Sequence, residues 1–208
     1  MTALSPRVFV VDDNPSVRKS LARVLAAVGY TVEAFASARE FLARPPHPGP
    51  CCLVLDVRMP GLSGIQLQEM LAATGRRLSI VFVTGHADVP TSVRAMKAGA
   101  VDLLTKPVDA QDLIVAIQRA VTRDELDRVA EARRTEIQRR VSLLTARETE
   151  VFALVVTGML NKQIGAALGI GEKTVKVHRA RVMEKMRAGS VAELVRLADE
   201  AGVTAHKI

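Results

Sequence analysis

Tryptophan is absent from this 208-residue chain, tyrosine occurs once, and aromatic residues make up only 3% of it. Binding of single-stranded nucleic acid by base stacking needs aromatic platforms, so the composition argues against that class. Cysteine occurs twice, as the adjacent pair Cys51 and Cys52. Neighbouring cysteines cannot staple distant segments together, and they match no metal-ligand spacing. No apolar run approaches the roughly 18 residues of a membrane helix, because clusters such as 51–55 soon meet a charge. The opening stretch MTALSPR lacks the apolar region of a secretory signal. Low-complexity segments and repeats are also missing. These absences point to a reduced, cytoplasmic chain with no membrane partner.

What is present is the make-up of a globular protein, 49% hydrophobic and 25% charged. The length suits one large domain or two small ones. The net charge of +7 suggests an anionic partner, although a modest surplus is often a solvated surface. Its location decides more than its total. Residues 143–208 carry ten Lys and Arg against seven Asp and Glu, the same surplus as residues 1–121 in about half the length, while residues 122–142 carry six against five.

Strand and helix signals alternate five times over residues 1–121. Short apolar runs at 7–11, 31–35, 53–56, 80–84 and 101–105 are separated by helical spacings such as Val17, Leu21, Val24 and Leu25. Gly29, Gly61, Gly75, Gly85 and Gly99 mark the joints. Repeated βα units imply a parallel sheet covered on both faces, here a flavodoxin-like doubly wound α/β domain of five strands. From Asp109 the pattern turns helical, and neither Gly nor Pro interrupts it before Leu144. Residues 122–142 therefore predict a long linker helix. Its apolar positions suit either a coiled coil with a second copy or a solvated spacer. Thr145 and Glu148 have capping-box spacing, and glycines divide the remainder into four helices at about 145–157, 161–168, 172–187 and 190–201. The last domain is all-α, over 143–208.

Three acids fall at strand ends: Asp12 and Asp13 after the first, Asp56 at the end of the third. A doubly wound sheet places them on one rim. Clustered carboxylates need a compensating cation, and an all-oxygen set suits Mg²⁺. Thr84 and Lys106 end the fourth and fifth strands, adding a hydroxyl and an ammonium. That combination makes a phosphoryl-transfer site, where charge stabilisation does most of the work. A lone Asp at a strand end is more often a cap or turn residue. Five matching positions at the ends of four of the five strands outweigh that reading.

The stretches VVDDNPSVR, LVLDVRMPGLSG, IVFVTGHAD and AGAVDLLTKPVD resemble the signatures of response-regulator receiver domains over nearly all of residues 5–121. The resemblance implies that Asp56 accepts a phosphoryl group from a sensor histidine kinase. It implies that Asp12, Asp13, Asp56 and the backbone carbonyl of Arg58 hold Mg²⁺, and that Thr84 and Lys106 bind the phosphoryl oxygens. Two positions depart from the family. Asn14 stands where another acid is frequent and trims the local charge. Leu103 replaces the aromatic switch residue, so a ring flip cannot be assumed.

Residues 172–187 hold six basic side chains against two acidic ones. Val175, His178, Val182 and Met186 form an inward stripe, leaving Lys173, Thr174, Lys176, Val177 and Arg181 outside. Alone, this is more often an ordinary amphipathic helix with a solvated basic face. The short helix and Gly169 turn before it complete a helix-turn-helix, which can read a major groove. The stretch from LTARETEV to HRARVMEKM resembles a LuxR/NarL-type output domain over about residues 143–204. With the receiver, it looks like a FixJ-type response regulator. The resemblance assigns Thr174, Lys176 and Val177 to the DNA face, with Lys162 and Arg179 as phosphate contacts. Gly165 and Gly171 replace the usual Ala and hydroxyl cap, so the recognition helix is expected to fray at its start.

These readings make the chain a phosphorylation-gated transcription regulator, not an enzyme. Its expected partners are the kinase, double-stranded promoter DNA and a second copy on phosphorylation, with RNA polymerase as a further candidate. An alternative is a phosphatase with an aspartate nucleophile. Such enzymes need a second acid two residues on, where this chain has Arg58. A ligand-sensing LuxR-type regulator would not need the five-point acidic site.

Overall fold

The computed structural model describes residues 5–76, 78–85 and 88–202. Residues 1–4, read above for a signal, and residues 86–87 of the IVFVTGHAD motif lie outside that range. The chain divides into two compact units, residues 1–128 and 129–208.

The first unit runs β1 (Arg7–Val11), α1 (Pro15–Ala27), β2 (Thr31–Phe35), α2 (Ala38–Ala43), β3 (Cys51–Asp56), α3 (Gly64–Ala73), β4 (Ser79–Thr84), α4 (Val89–Lys97), β5 (Asp102–Thr105), and then α5 (Ala110–Ser142), which continues into the second unit. The strands are parallel in the order β2-β1-β3-β4-β5. Successive side chains of a strand point to opposite faces, and both faces are buried, so the central strands read as unbroken apolar runs. Phe9, Leu53, Leu55 and Phe82 face α2, α3 and α4, meeting Phe41, Leu67, Leu71 and Ala95. Val8, Val10, Val54 and Val81 face α1 and α5, meeting Leu21, Leu25, Leu113 and Ile117.

β3 and β4 each begin before the span expected from sequence, at Cys51 and Ser79. Parallel pairing of Cys51 with Arg7 of β1 and of Ser79 with Cys52 of β3 supplies partners that local pattern does not reveal. The uninterrupted helix expected after Asp109 is α5, 33 residues long. Its apolar positions do not form one continuous stripe. Leu113, Ala116, Ile117 and Val121 are buried in the first unit, Ile137 is buried in the second, and Leu126 and Val129 between them are about two-thirds exposed. The first unit also keeps Asp124, which is buried and accepts the Cys51 amide at 2.9 Å.

The second unit adds α6 (Ala146–Val156), α7 (Asn161–Leu168), α8 (Glu172–Met186) and α9 (Val191–Ala201). Phe152, Ile164, Val175, Val182, Met186, Leu194 and Ile137 of α5 share its core. The Thr145 capping box is formed as expected, the carboxylate of Glu148 accepting from the Thr145 amide at 2.9 Å. Between α7 and α8 the chain turns at Gly169, whose φ of 66° is in the left-handed region that a Cβ disfavours.

Candidate functional site

Register brings the acidic residues together. Val11 of β1 pairs with Leu55 of β3, so Asp12 and Asp56 leave the sheet side by side. One carboxylate oxygen each from Asp12, Asp13 and Asp56 lies within 4.8 Å of the others. Asp12 and Asp56 are buried, while Asp13 is exposed. β4 and β5 pair at Thr84 and Thr105, and the Lys106 amide donates to the Thr84 carbonyl at 2.8 Å. That places Lys106 beside the acids. Its Nζ donates to Asp12 Oδ2 at 2.7 Å and to Asp56 Oδ2 at 3.1 Å. Thr84 is buried at the end of β4. Leu103 is partly buried against the cluster beneath α3 and α4.

The electrostatics follow from this packing. Burial pushes the Asp56 carboxyl above its ordinary range, and the Lys106 hydrogen bond and charge pull against that shift. Burial would lower the Lys106 ammonium, but its bonds to Asp12 and Asp56 outweigh that effect and raise it. Three carboxylates against one ammonium leave the pocket negative. An oxygen-only donor set of this kind can take a hard divalent cation.

Asn14, Arg18, Gly64 and Arg58 shape the rim around the acids. The side chain of Asn14 caps α1, accepting from the Ser16 amide at 2.9 Å, while the backbone amide of Asn14 donates to Asp12 Oδ1 at 2.9 Å. An Asn followed by Pro at the first helical position is a legible cap signal. Arg18 reaches back from α1 to the carbonyls of Asp12 and Asp13, at 2.6 and 3.0 Å. Gly64 opens α3 directly behind Asp56, where a Cβ would stand 2.2 Å from the Asp56 carbonyl oxygen. Arg58, in the loop after β3, is exposed and pairs with Asp88, the N-cap of α4, at 3.6 Å. Only the fold brings Arg58 to Asp88.

The second candidate site is α8. Val175, Val182 and Met186 face inward, His178 is half-buried, and Lys173, Thr174, Lys176, Val177 and Arg181 are exposed. Lys162 is exposed on α7. Arg179 is half-buried and donates to Asn161 Oδ1 at 2.9 Å, so it braces α8 against the start of α7. Lys176 pairs with Glu172 one turn earlier. Gly171 caps α8 without a side-chain hydrogen bond. At Gly165 a Cβ would come 2.7 Å from the Ile170 carbonyl, which accounts for glycine in place of alanine at this crossing.

Residues 8–118 match the family model for the response regulator receiver domain, and residues 142–198 that for bacterial regulatory proteins of the luxR family. Nodulation protein W of Bradyrhizobium diazoefficiens is 46% identical over 96% of this chain and 88% of its own. The transcriptional regulatory protein FixJ of Azorhizobium caulinodans is 43% identical over 94% of this chain and 93% of its own. Among solved structures, the response regulator StyR is 45% identical with a TM-score of 0.81, covering 95% of this chain and all of that one.

Proposed function

The chain belongs to the response regulators, joining a receiver domain to a LuxR-type DNA-binding domain, and from that premise we propose that Asp56 is the residue through which phosphate controls it. Phosphorylation-dependent transcriptional regulation is the function of such a chain. The observation that carries the Asp56 assignment is the convergence of Asp12, Asp13 and Asp56 with the Lys106 ammonium on one rim.

In the proposed reaction an Asp56 carboxylate oxygen attacks the phosphorus of a kinase phosphohistidine. The new P–O bond forms as the P–N bond breaks, and the leaving imidazole nitrogen takes its proton from solvent. Lys106 and Thr84 receive the phosphoryl oxygens, which stabilises charge where it builds. Asp12, Asp13, Asp56 and the Arg58 carbonyl would hold Mg²⁺, which supplies further neutralisation of that charge when bound. Each chain takes up one phosphoryl group. Arg58 stands where an aspartate phosphatase holds its second acid, so the chain acts as a substrate of its kinase and not as an enzyme.

Residues 1–121 act as the receiver, 122–142 as the linker and 143–208 as the DNA-binding domain, in the cytoplasm. No helix among the described residues is long and apolar enough to cross a membrane. Phosphate promotes pairing of two copies through the α4–β5 face, where Val89, Val93 and Met96 of α4 are exposed at helical spacing. Leu103 follows Thr84 in that rearrangement. The paired chains set Thr174, Lys176 and Val177 in successive major grooves of promoter DNA, with Lys162, Lys173, Arg179 and Arg181 toward the backbone, and meet RNA polymerase there. Acetyl phosphate labelling tests the central step. Asp56→Asn should abolish incorporation, and Asp13→Ala should slow it and raise the Mg²⁺ requirement. Undiminished labelling of the Asp56→Asn chain would overturn the assignment.

A further inference from the structure

We propose that Arg58 is a phosphodonor-binding side chain held aside by Asp88, so that Asp88 sets how readily the acidic rim receives its donor. The proposal rests on Asp56 as phosphoacceptor and assigns a control residue to that same site.

Arg58 lies two residues beyond Asp56, and its amide points at Asp56 Oδ1 from 3.4 Å. Its guanidinium pairs with Asp88 Oδ2 at 3.6 Å, and both side chains are about half exposed or more. Asp88 uses its other oxygen for a separate task, accepting the Thr91 amide at 2.8 Å and capping α4. The two oxygens of one carboxylate thus hold the helix start and the arginine.

A phosphodonor arrives as an anion at a rim carrying three carboxylates and one ammonium. A guanidinium is suited to a phosphoryl group, since its planar fork can donate two parallel hydrogen bonds. An exposed, single-contact ion pair is among the weakest in proteins, so the arginine can leave Asp88 at little cost. A dianionic phosphoryl group is the stronger acceptor. Arg58 therefore exchanges partners as the donor docks, and Asp88 is a positioning residue acting through it. Cap and arginine tether are separable, because Asn and Ser cap as Asp does but carry no charge.

The test uses the full-length chain with acetyl phosphate and Mg²⁺, following phosphate incorporation at residue 56 across donor concentrations. Transfer forms the Asp56 Oδ–P bond and releases acetate. Asp88→Asn should lower the half-saturating donor concentration about two- to fivefold, the range of an exposed ion pair, with the maximal rate little changed. Arg58→Gln should raise it, Arg58→Lys should recover part of the loss, and the double variant should behave as Arg58→Gln alone. Asp88→Ser should repeat the Asp88→Asn result, which guards against a local defect in α4. An equal gain from Asp88→Asn in the presence and absence of Arg58 would mean a general charge effect and overturn the proposal, as would no gain at all. Failure of the unmodified chain to take phosphate at Asp56 would instead defeat the phosphoacceptor reading.

Discussion

At the scale of single residues, the buried charge of Glu148 has the clearest energetic consequence. Its carboxylate accepts Lys185 Nζ at 2.6 Å and the Thr145 amide at 2.9 Å. Those bonds hold its carboxyl at about 2, against an ordinary 4.5. A depressed carboxylate stabilises the fold fully above its unfolded value, and that contribution is lost as pH falls. The second unit should therefore lose stability between about pH 4.5 and pH 2, and Glu148→Gln should flatten that part of the profile. Acid titration of amide exchange at Phe152 measures it. Glu148→Ala should cost roughly 2–3 kcal/mol at neutral pH, less than a fully buried pair because Lys185 is one-third exposed.

The residues of α8 carry a second expectation. Val177 is about half exposed, in line with a role at a thymine methyl. Val177→Ala should cost about 1–3 kcal/mol at one base position and relax specificity there. Lys162→Ala should weaken all sequences alike and lower the salt slope by about one. Binding-site selection at several salt concentrations separates them. A changed sequence preference in Lys162→Ala, with none in Val177→Ala, would place the wrong face of α8 in the groove.

At the scale of elements, Gly64 shows how closely α3 is seated on the end of β3. Its missing Cβ would stand 2.2 Å from the Asp56 carbonyl and 3.0 Å from a Leu55 side-chain carbon. Neither neighbour can yield, since one is backbone and the other is buried. Gly64→Ala should destabilise the first unit by about 1–3 kcal/mol through overpacking. It should also slow phosphate incorporation by displacing the carboxylate-bearing strand end. Urea unfolding and labelling of the same preparation would check both. Unchanged labelling in a destabilised chain would show that the site tolerates the shift. The Ser63–Gln66 capping box at this helix start is local in sequence. The close approach of Gly64 to Asp56 is not.

At the scale of the whole molecule, α5 belongs to two cores. Ile137 is 2% exposed in the second unit, Arg140 donates to the Met186 carbonyl at 3.2 Å, and Gln138 donates to the Ala201 carbonyl at 3.4 Å. A fragment beginning at 143 lacks all three. It should be less stable than a fragment beginning at 129 by at least about 2 kcal/mol, the low end for losing a buried isoleucine. Thermal unfolding of the two fragments is the measurement, and equal stability would show that this stretch serves only as a spacer.

By itself the sequence determined the features that depend on neighbours along the chain. The alternating apolar runs of β1 to β5, the Thr145 cap, the Gly169 turn and the basic outer face of α8 each arise from residues within a turn or strand of one another. Asp12, Asp56, Thr84 and Lys106 were legible because a parallel sheet puts all its strand ends on one rim whatever the details of packing. The tertiary structure alone decided which distant groups touch. It set Arg18 on the Asp12 carbonyl, Arg58 on Asp88, Arg179 on Asn161 and Lys185 on Glu148. It also divided the helical stripe of α5 between two cores, exposing Leu126 while burying Ile137. Periodicity reports the face of a helix. What that face meets depends on the packing of the rest of the chain.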